Sequence, residues 1–309
     1  MCVAVGVLCA AGYGGYAQTI RHVWTNSPYP AHPYDSWTNA ARSIQEAIDA
    51  ADAGDLIWVT NGVYDTGGKP VPSLGAVPNR VAIDKPVVVA SVNGASCTVI
   101  KGRKDPDSTN GPLAVRCVYM TNGSALIGFT LTNGATASDM PYLHGGGVWC
   151  ESSDCVISNC LITGNTAYHR GGGAYGGTLF YCVMNGNSAY YGGGAHDSDL
   201  YYCKVRGNFA KKFGGGARGG SLYDCEIIGN SAERGGGAHA SALYQCKVIG
   251  NSAERGGGTH GGTMYHCTIK GNVASSQGGG AYLSEMYNCV VIGNVLAWVE
   301  SGGIPKGIK

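Results

Sequence analysis

The sequence has little charge and no long apolar run beyond its first residues. Only 13% of its 309 residues are charged, and 21 basic side chains nearly balance 20 acidic ones. A nucleic-acid-binding protein should show a basic excess or a basic stripe, so this balance argues against a nucleic-acid partner. No later run is long enough to cross a membrane as a helix. Disorder is also disfavoured, because 44% of the residues are hydrophobic.

Glycine, by contrast, is abundant and periodic. There are 52 glycines, about double the usual share. Their period is near 21 residues rather than 3, which excludes collagen. Gly-Asn pairs, triple glycines and cysteines all keep this period, the cysteines at Cys160, Cys182, Cys203, Cys225, Cys246, Cys267 and Cys289. A fixed period of this length predicts a solenoid, in which each repeat buries its apolar face only against its neighbours.

A single repeat, "GGGAHASALYQCKVIGNSAER", predicts three short strands. Ala238, Leu243, Cys246 and Val248 would point inward, with Lys247 outward, at the strand period of two. The glycines would turn corners where φ is positive or where backbones approach closely. The Gly-Asn pairs would turn another corner, where Asn tolerates left-handed φ. We expect the Asn amides to hydrogen-bond in a ladder along the stack.

The chain before the repeats is less regular. "SIQEAIDAADAGD" predicts a short helix with a capping box of Ser43 and Glu46. The apolar start ends in small residues, as an export signal does, but it lacks the basic segment, and a buried first strand is the alternative. We therefore predict three segments: a signal peptide at 1–17, a cap helix with irregular coils at 18–134, and regular coils at 135–309.

Thirteen cysteines in an exported protein would ordinarily suggest disulfides. Seven of them share one repeat position, and parallel strands place equivalent residues about 4.8 Å apart. Free cysteine packs as a small hydrophobe, so this position predicts a buried column of reduced thiols. Cys150 and Cys155 fall outside the period and are the better disulfide candidates.

Several phrases carry a family resemblance. "SIQEAIDAADAGDLIWVTNGVY" and "LIGFTLTNG" resemble the opening coils of extracellular β-helix proteins, and "GNSA…GGGA" is similar to the repeats of polymorphic outer-membrane and autotransporter-like surface proteins. The resemblance covers about residues 40–300. It implies an all-β fold, a right-handed parallel β-helix of the pectin-lyase-like kind. This fold hosts lyases, hydrolases, epimerases, tailspikes and adhesins. The closing "AWVESGGIPKGIK" looks like an abrupt end, as of a truncated gene.

A lyase would need a Lys or Arg base of lowered pKa and often Ca²⁺ held by carboxylates. The best cluster of such groups is Asp197, Asp199, Lys204 and Arg206, with Arg218 one coil later. The alternative is a solvated charge ladder, because Lys204, Glu226 and Lys247 alternate in sign along one outward column. A second cluster, which would overhang a groove or form a polar loop, is Lys101, Arg103, Lys104, Asp105 and Asp107.

The most distinctive outward column follows the triple glycines, and all its members are flat. They are Trp149, Tyr175, His196, Arg218, His239, His260 and Tyr282. Such a stripe could stack on sugar rings or on a protein partner, since aromatics and Arg dominate binding hot spots. Alternatively, it shields the glycine-rich backbone. No third ligand accompanies the adjacent His239 and His260, so we predict no metal. A further aromatic column, from Phe180 to Tyr287, predicts a structural ladder.

These features favour an exported scaffold, secreted or at the cell surface, that binds a polysaccharide or another surface ligand through the flat column without a cofactor. The alternative is a polysaccharide lyase, or a related carbohydrate-active enzyme, acting on a uronate polymer with Ca²⁺. A third possibility is a structural module that associates end to end, because unprotected strand edges pair readily.

Overall fold

The computed structural model describes residues 18–71, 77–138 and 143–297. Within these ranges the chain is a nearly all-β parallel β-helix, which confirms the predicted fold class. The helix spans Ile44–Ala50, and Ser43 and Glu46 form the predicted capping box. No helix among the described residues is long and apolar enough to span a membrane. The predicted signal peptide, residues 1–17, lies outside the described residues.

Each regular coil contributes to three parallel sheets. Strands of the first sheet are Ile20–Val23, Leu56–Val59, Lys69–Pro70, Pro78–Ile83, Val88–Ser91, Arg116–Met120, Ala125–Ile127, Val148–Cys150, Val156–Ser158, Ala174–Tyr175, Thr178–Phe180, Ala195–His196, Asp199–Tyr201, Ala217–Arg218, Ser221–Tyr223, Ala238–Tyr244, Thr259–Tyr265, Ala281–Tyr282 and Glu285–Tyr287. In several coils this strand is broken in two by residues of positive φ, such as Asp197. Lys69–Pro70 pairs antiparallel with its neighbour.

The other two sheets are regular stacks of one strand per coil. The second sheet holds Gly62–Tyr64, Thr98–Lys101, Thr130–Thr132, Leu161–Thr163, Val183–Asn185, Lys204–Arg206, Glu226–Ile228, Lys247–Ile249, Thr268–Lys270 and Val290–Ile292. The third holds Ser188–Tyr191, Phe209–Phe213, Ser231–Arg234, Ser252–Arg255, Val273–Gln277 and Val295–Leu296. Equivalent residues pair in register from coil to coil, as Leu243 does with Met264, apart from register shifts at three pairings of the third sheet.

The predicted inward columns form the core. Leu243, Cys246 and Val248 are all buried, and so are their equivalents in the other regular coils except the last described one, where Met286 and Val291 are exposed. All eleven described cysteines are free, as predicted for the column. Cys246 donates its thiol to the carbonyls of Leu222 and Tyr244, both at 3.3 Å, so the column is also hydrogen-bonded. The proposed disulfide partners Cys150 and Cys155 are free thiols as well, in hydrogen-bonding contact with each other.

The triple glycine is explained by backbone crowding as much as by φ. Gly235 has the left-handed φ of +65°, which glycine adopts without strain. A Cβ on Gly236 would lie 2.2 Å from the carbonyl oxygen of Ser252, and one on Gly237 would lie 2.6 Å from that of Gly258. Neighbouring coils therefore meet backbone to backbone at this turn, which we call the glycine corner.

The Gly-Asn corner differs from the prediction in one respect. The glycine, not the asparagine, takes the positive φ, as at Gly250 with +61°. The asparagine is thereby free to turn inward, where Asn251 is fully buried. The predicted amide ladder is present and continuous from Asn165 to Asn294.

A further corner has no glycine and was not predicted. The residue before each column cysteine has φ between 52° and 56°, at Asn159, Tyr181, Tyr202, Asp224, Gln245, His266 and Asn288. Left-handed backbone costs a non-glycine residue roughly 1–2 kcal/mol. Asn and Asp tolerate this conformation, so it is at the Tyr, Gln and His members that the stacking of the coils on either side imposes it.

Candidate functional site

The seven flat residues predicted as a column do lie in one file, which we call the planar file. Parallel pairing places each beside the next, from Trp149 to Tyr282. Ring centroids are 5.7 Å apart between Tyr175 and His196 and 5.0 Å between His239 and His260. Tyr119, which was not predicted, extends the file by stacking on Trp149 at 5.4 Å.

The planar file is less exposed than a free stripe would be. His196 is only 1% exposed, and the other members are partly buried. Strand spacing brings the rings close enough to stack, so in most of the file each ring covers a face of its neighbour. Ring edges, with their N–H and O–H groups, are what such a stack offers to a ligand. The expected stacking of sugars on open faces therefore has little room along most of the file.

A second file, not predicted, covers the planar file from the other side of the glycine corner. We call it the pre-glycine file, because each member directly precedes a triple glycine: His144, Arg170, Tyr191, Phe213, Arg234, Arg255 and Gln277. Phe213 stacks on His239 at 4.6 Å, and the Arg218 guanidinium lies 5.0 Å from the Tyr191 ring centroid. These positions could have been found in the sequence, because each directly precedes a periodic triple glycine.

His196 is the most buried member of the two files. Its Nε2 lies 2.6 Å from Nη1 of Arg218, and its Nδ1 lies 3.0 Å from a carboxylate oxygen of Asp197. Burial, reinforced by the positive charges of Arg218 and Arg170, lowers the pKa of His196 to about 3. His196 is therefore neutral near pH 7, with Nε2 accepting a hydrogen bond from the guanidinium.

The same cause acts along both files. Burial lowers the pKa of His144 to about 4, with Arg170 adding to the effect. Burial also lowers the pKa of His239 to about 4, helped by His260 and Arg218. These imidazoles consequently act as neutral hydrogen-bonding groups, and the positive charge of the region comes from its arginines.

The two files gather most of the unsatisfied polar atoms of the structure. Ten buried side-chain N or O atoms in the described residues lack a hydrogen-bond partner. Seven of them lie here: Nδ1 of His144, His196, His239 and His260, and Nε of Arg170, Arg218 and Arg255. Of these, Nδ1 of His196 has the Asp197 carboxylate 3.0 Å away as an ion-pair contact, although the contact does not meet hydrogen-bond geometry. Buried polar groups are ordinarily paired, so this concentration of enclosed and unpaired nitrogen atoms sets the glycine corner apart from the rest of the described chain.

The charged cluster considered for a lyase is divided between two sheets. Asp199 belongs to the first sheet, where its carboxylate accepts from the N–H of Ser221 at 2.9 Å. Lys204 and Arg206 belong to the second sheet. There Glu226 lies 4.0 Å from the Lys204 ammonium and 3.1 Å from that of Lys247. This geometry favours the charge ladder.

The second charged cluster is a self-contained loop. Asp105 accepts hydrogen bonds from the N–H groups of Asp107, Ser108 and Leu113, which lower the pKa of its carboxyl. Its role is to hold the loop together.

Among residues 18–71, 77–138 and 143–297, no three His, Cys, Asp or Glu side chains are grouped as metal ligands would be.

The same loop borders a groove through Asn110, whereas none of the five charged residues of the predicted cluster lines that groove. Asn110 donates from Nδ2 to the carbonyls of Thr136 and Thr166, at 3.2 and 3.3 Å. It thus fixes one end of a cavity of about 550 Å³ on the third sheet, which we call the aromatic groove. The groove is lined by Asn110, Thr166, Ala167, Tyr168, His169, Ser188, Ala189, Tyr190, Tyr191, Phe209 and Lys211.

Comparison with known proteins identifies the fold. The chain is similar to the crystal structure of pectate lyase Pel9A, with a TM-score of 0.54, 14% identity, and coverage of 91% of this chain and 79% of that one. A pectin methylesterase from Aspergillus niger gives a TM-score of 0.41 at 12% identity, covering 96% of this chain and 93% of that one. No protein-family model and no curated protein matches the sequence. The likeness at this identity establishes the parallel β-helix and nothing more specific.

Proposed function

We propose that the chain is an exported β-helix scaffold that binds glycans along the glycine corner. The observation that carries this proposal is the continuous planar file from Trp149 to Tyr282, whose members other than His196 are partly exposed. A polysaccharide offers a regular series of hydroxyl, ring or carboxylate oxygens. A rigid stack with a fixed coil spacing suits a ligand that repeats in the same way.

In this proposal the ligand hydrogen-bonds to ring edges and guanidinium groups. Arg218 and Arg170 supply charge, while neutral His239 and His260 supply N–H donors or acceptors. Because a preformed stack loses little conformational freedom on binding, each contact contributes more of its free energy to affinity. The same proposal includes secretion or display at the cell surface. The resemblance of the repeats to those of surface β-helix proteins supports it.

A polysaccharide lyase acting on a uronate polymer is the second candidate. The likeness to a pectate lyase favours it at the level of fold. The separation of Lys204 and Arg206 from Asp199 counts against the cluster first considered for it.

The test is a glycan panel that records binding and turnover in parallel. Binding without turnover, weakened about tenfold by His239→Ala or Tyr175→Ala, is the expected result. Tyr244→Ala is the matched control, because Tyr244 stacks on Tyr223 and Tyr265 in the other aromatic column. Equal losses in all three variants would contradict the proposed face.

Turnover is measured as ultraviolet absorbance of the unsaturated product from a uronate polymer, with and without Ca²⁺. We expect none. If the absorbance rises with the wild type and Arg206→Ala or Lys204→Ala abolishes the rise, the protein is a lyase and the scaffold proposal is wrong.

A further inference from the structure

We infer that the aromatic groove is a separate glycan subsite, in which a pyranose ring packs against open aromatic faces. The inference rests on the proposed glycan function but places a ring-stacking site away from the planar file. It follows from the difference between the two regions: rings of the planar file cover one another, while two rings of the groove are free.

The free rings are Tyr168 and Phe209. They are 51% and 52% exposed, so part of each ring is accessible to a ligand. Neither ring stacks on another ring among the described residues. Between them lies Tyr190, which is partly buried and packs edge-on against Tyr191 with centroids 4.7 Å apart. The groove therefore has a fixed aromatic floor with accessible aromatic sides.

The residues that line the groove depart from the repeat. Tyr168, Tyr190 and Lys211 occupy the same place in three successive coils, the third residue after the buried Asn. In the next two coils this place is taken by Glu233 and Glu254.

Phe209 is a second departure from the repeat. It stands where Ser188, Ser231 and Ser252 stand in other coils, and it pairs in register with Ser188 and Ser231. An aromatic residue at an exposed place where the fold accepts serine is not needed for the stack.

Two further features shape the groove. The strand register shifts between Ala210 and Phe213, at the insertion that contains Lys211. Lys211 consequently reaches back over the Tyr190 ring, with Nζ 5.7 Å from the centroid. At the other end the Asn110 loop closes the groove through its bonds to Thr136 and Thr166.

The chemistry of the lining identifies the class of ligand. The volume of about 550 Å³ falls within the ~300–1,000 Å³ typical of small-ligand sites. Aromatic faces offer C–H-rich ring surfaces a place to pack, and Ser188, Lys211 and Asn110 offer polar contacts at the margins. None of the lining residues is acidic, so a sugar bearing a carboxylate meets Lys211 without repulsion. Phe209–Phe213 is paired on both sides, and bridges from Thr166 and Arg170 occupy the other side of Ser188–Tyr191. A peptide therefore has no free strand edge to pair with here.

The experiment titrates two hexasaccharides, cellohexaose and hexagalacturonate, into the full chain by calorimetry. Phe209→Ser and Lys211→Glu each install the residue that a later coil carries at the same place, so both variants should fold as the wild type does. We expect Phe209→Ser to weaken binding about tenfold, the loss of one aromatic contact. We expect Lys211→Glu to weaken the binding of hexagalacturonate more than the binding of cellohexaose. Tyr168→Ser provides a second, independent removal of a free ring.

His239→Ala separates this inference from the proposed function. Loss of binding in Phe209→Ser or Tyr168→Ser establishes the subsite, whether or not His239→Ala also loses affinity. Unchanged binding in both groove variants, with loss in His239→Ala, overturns the subsite and leaves the corner as the binding face. Absence of binding by the wild-type chain to both hexasaccharides overturns the subsite as stated.

Discussion

Nδ2 of Asn230 donates to Oδ1 of Asn251 in the next coil at 3.0 Å, and the backbone N–H of Asn230 donates to the same oxygen at 2.9 Å. Asn251 in turn donates from Nδ2 to Asn272 and to the carbonyl of Ile227. Each interior amide thus uses both its oxygen lone pairs and both its N–H groups. This full satisfaction permits a polar file inside an apolar stack.

Asn251→Ala should destabilise the protein by about 3 kcal/mol or more, because it leaves two buried donors of Asn230 without an acceptor. Asn294→Ala should cost less, since Asn294 lies in the last described coil and is only partly buried. Urea-induced unfolding of the two variants and the wild type measures the difference. Unchanged stability in Asn251→Ala would show that the ladder is not a stabilising element.

Gly236→Ala should disrupt the stack more than Gly250→Ala does. The new methyl at 236 would meet backbone oxygens of two other residues at 2.2 and 2.5 Å, and backbone cannot move aside without parting the coils. At Gly250 nothing lies within 4 Å, so alanine there costs only its left-handed φ, roughly 1–2 kcal/mol. Thermal unfolding of both variants tests the order, which the reverse ranking would contradict.

Gln245→Gly should stabilise the protein. Glycine removes the left-handed penalty of roughly 1–2 kcal/mol at this exposed corner and gives back about 0.5–1 kcal/mol in the unfolded chain. Lys247→Gly, at an exposed strand position two residues away, has no such penalty to relieve and should destabilise by about 1 kcal/mol. Changes of the same sign in the two variants would show that the corner is not strained.

Stability should fall as the pH is lowered from about 6.5 towards 3, in part because of His196. Its folded pKa of about 3 lies below the ordinary 6.5. The unfolded chain therefore takes up a proton in this window while the folded chain does not, and the contribution is complete only above pH 6.5.

His196→Asn isolates that contribution, because the asparagine keeps an acceptor for Arg218 and has no proton to take up. Below pH 6.5 the wild type should lose up to ~1.4 kcal/mol more per pH unit than the variant. Asp197, His144, His169 and Arg170 face the same site and are present in both proteins. Parallel stability curves from chemical denaturation across this range would contradict the assignment.

The sequence by itself determined the solenoid, the inward columns and the planar file. These follow from residues that recur at one position every 21 or 22 residues, and parallel stacking turns each such position into a line in space. The triple glycine, the cysteine column and the amide ladder needed no further information, because each residue type has one physical use at that place.

Only the tertiary structure decided which side chains surround the inward columns and the planar file. The backbone approach at the glycine corner brings Phe213 against His239 and Tyr191 against Arg218, although the members of each pair belong to different sheets. At the Gly-Asn corner the structure gives the positive φ to Gly rather than to Asn, and at a third corner the stacking holds Gln245 in left-handed φ. The aromatic groove forms where an irregular loop meets three coils. The sequence did not predict the groove, because the repeat period does not determine where an irregular loop lies.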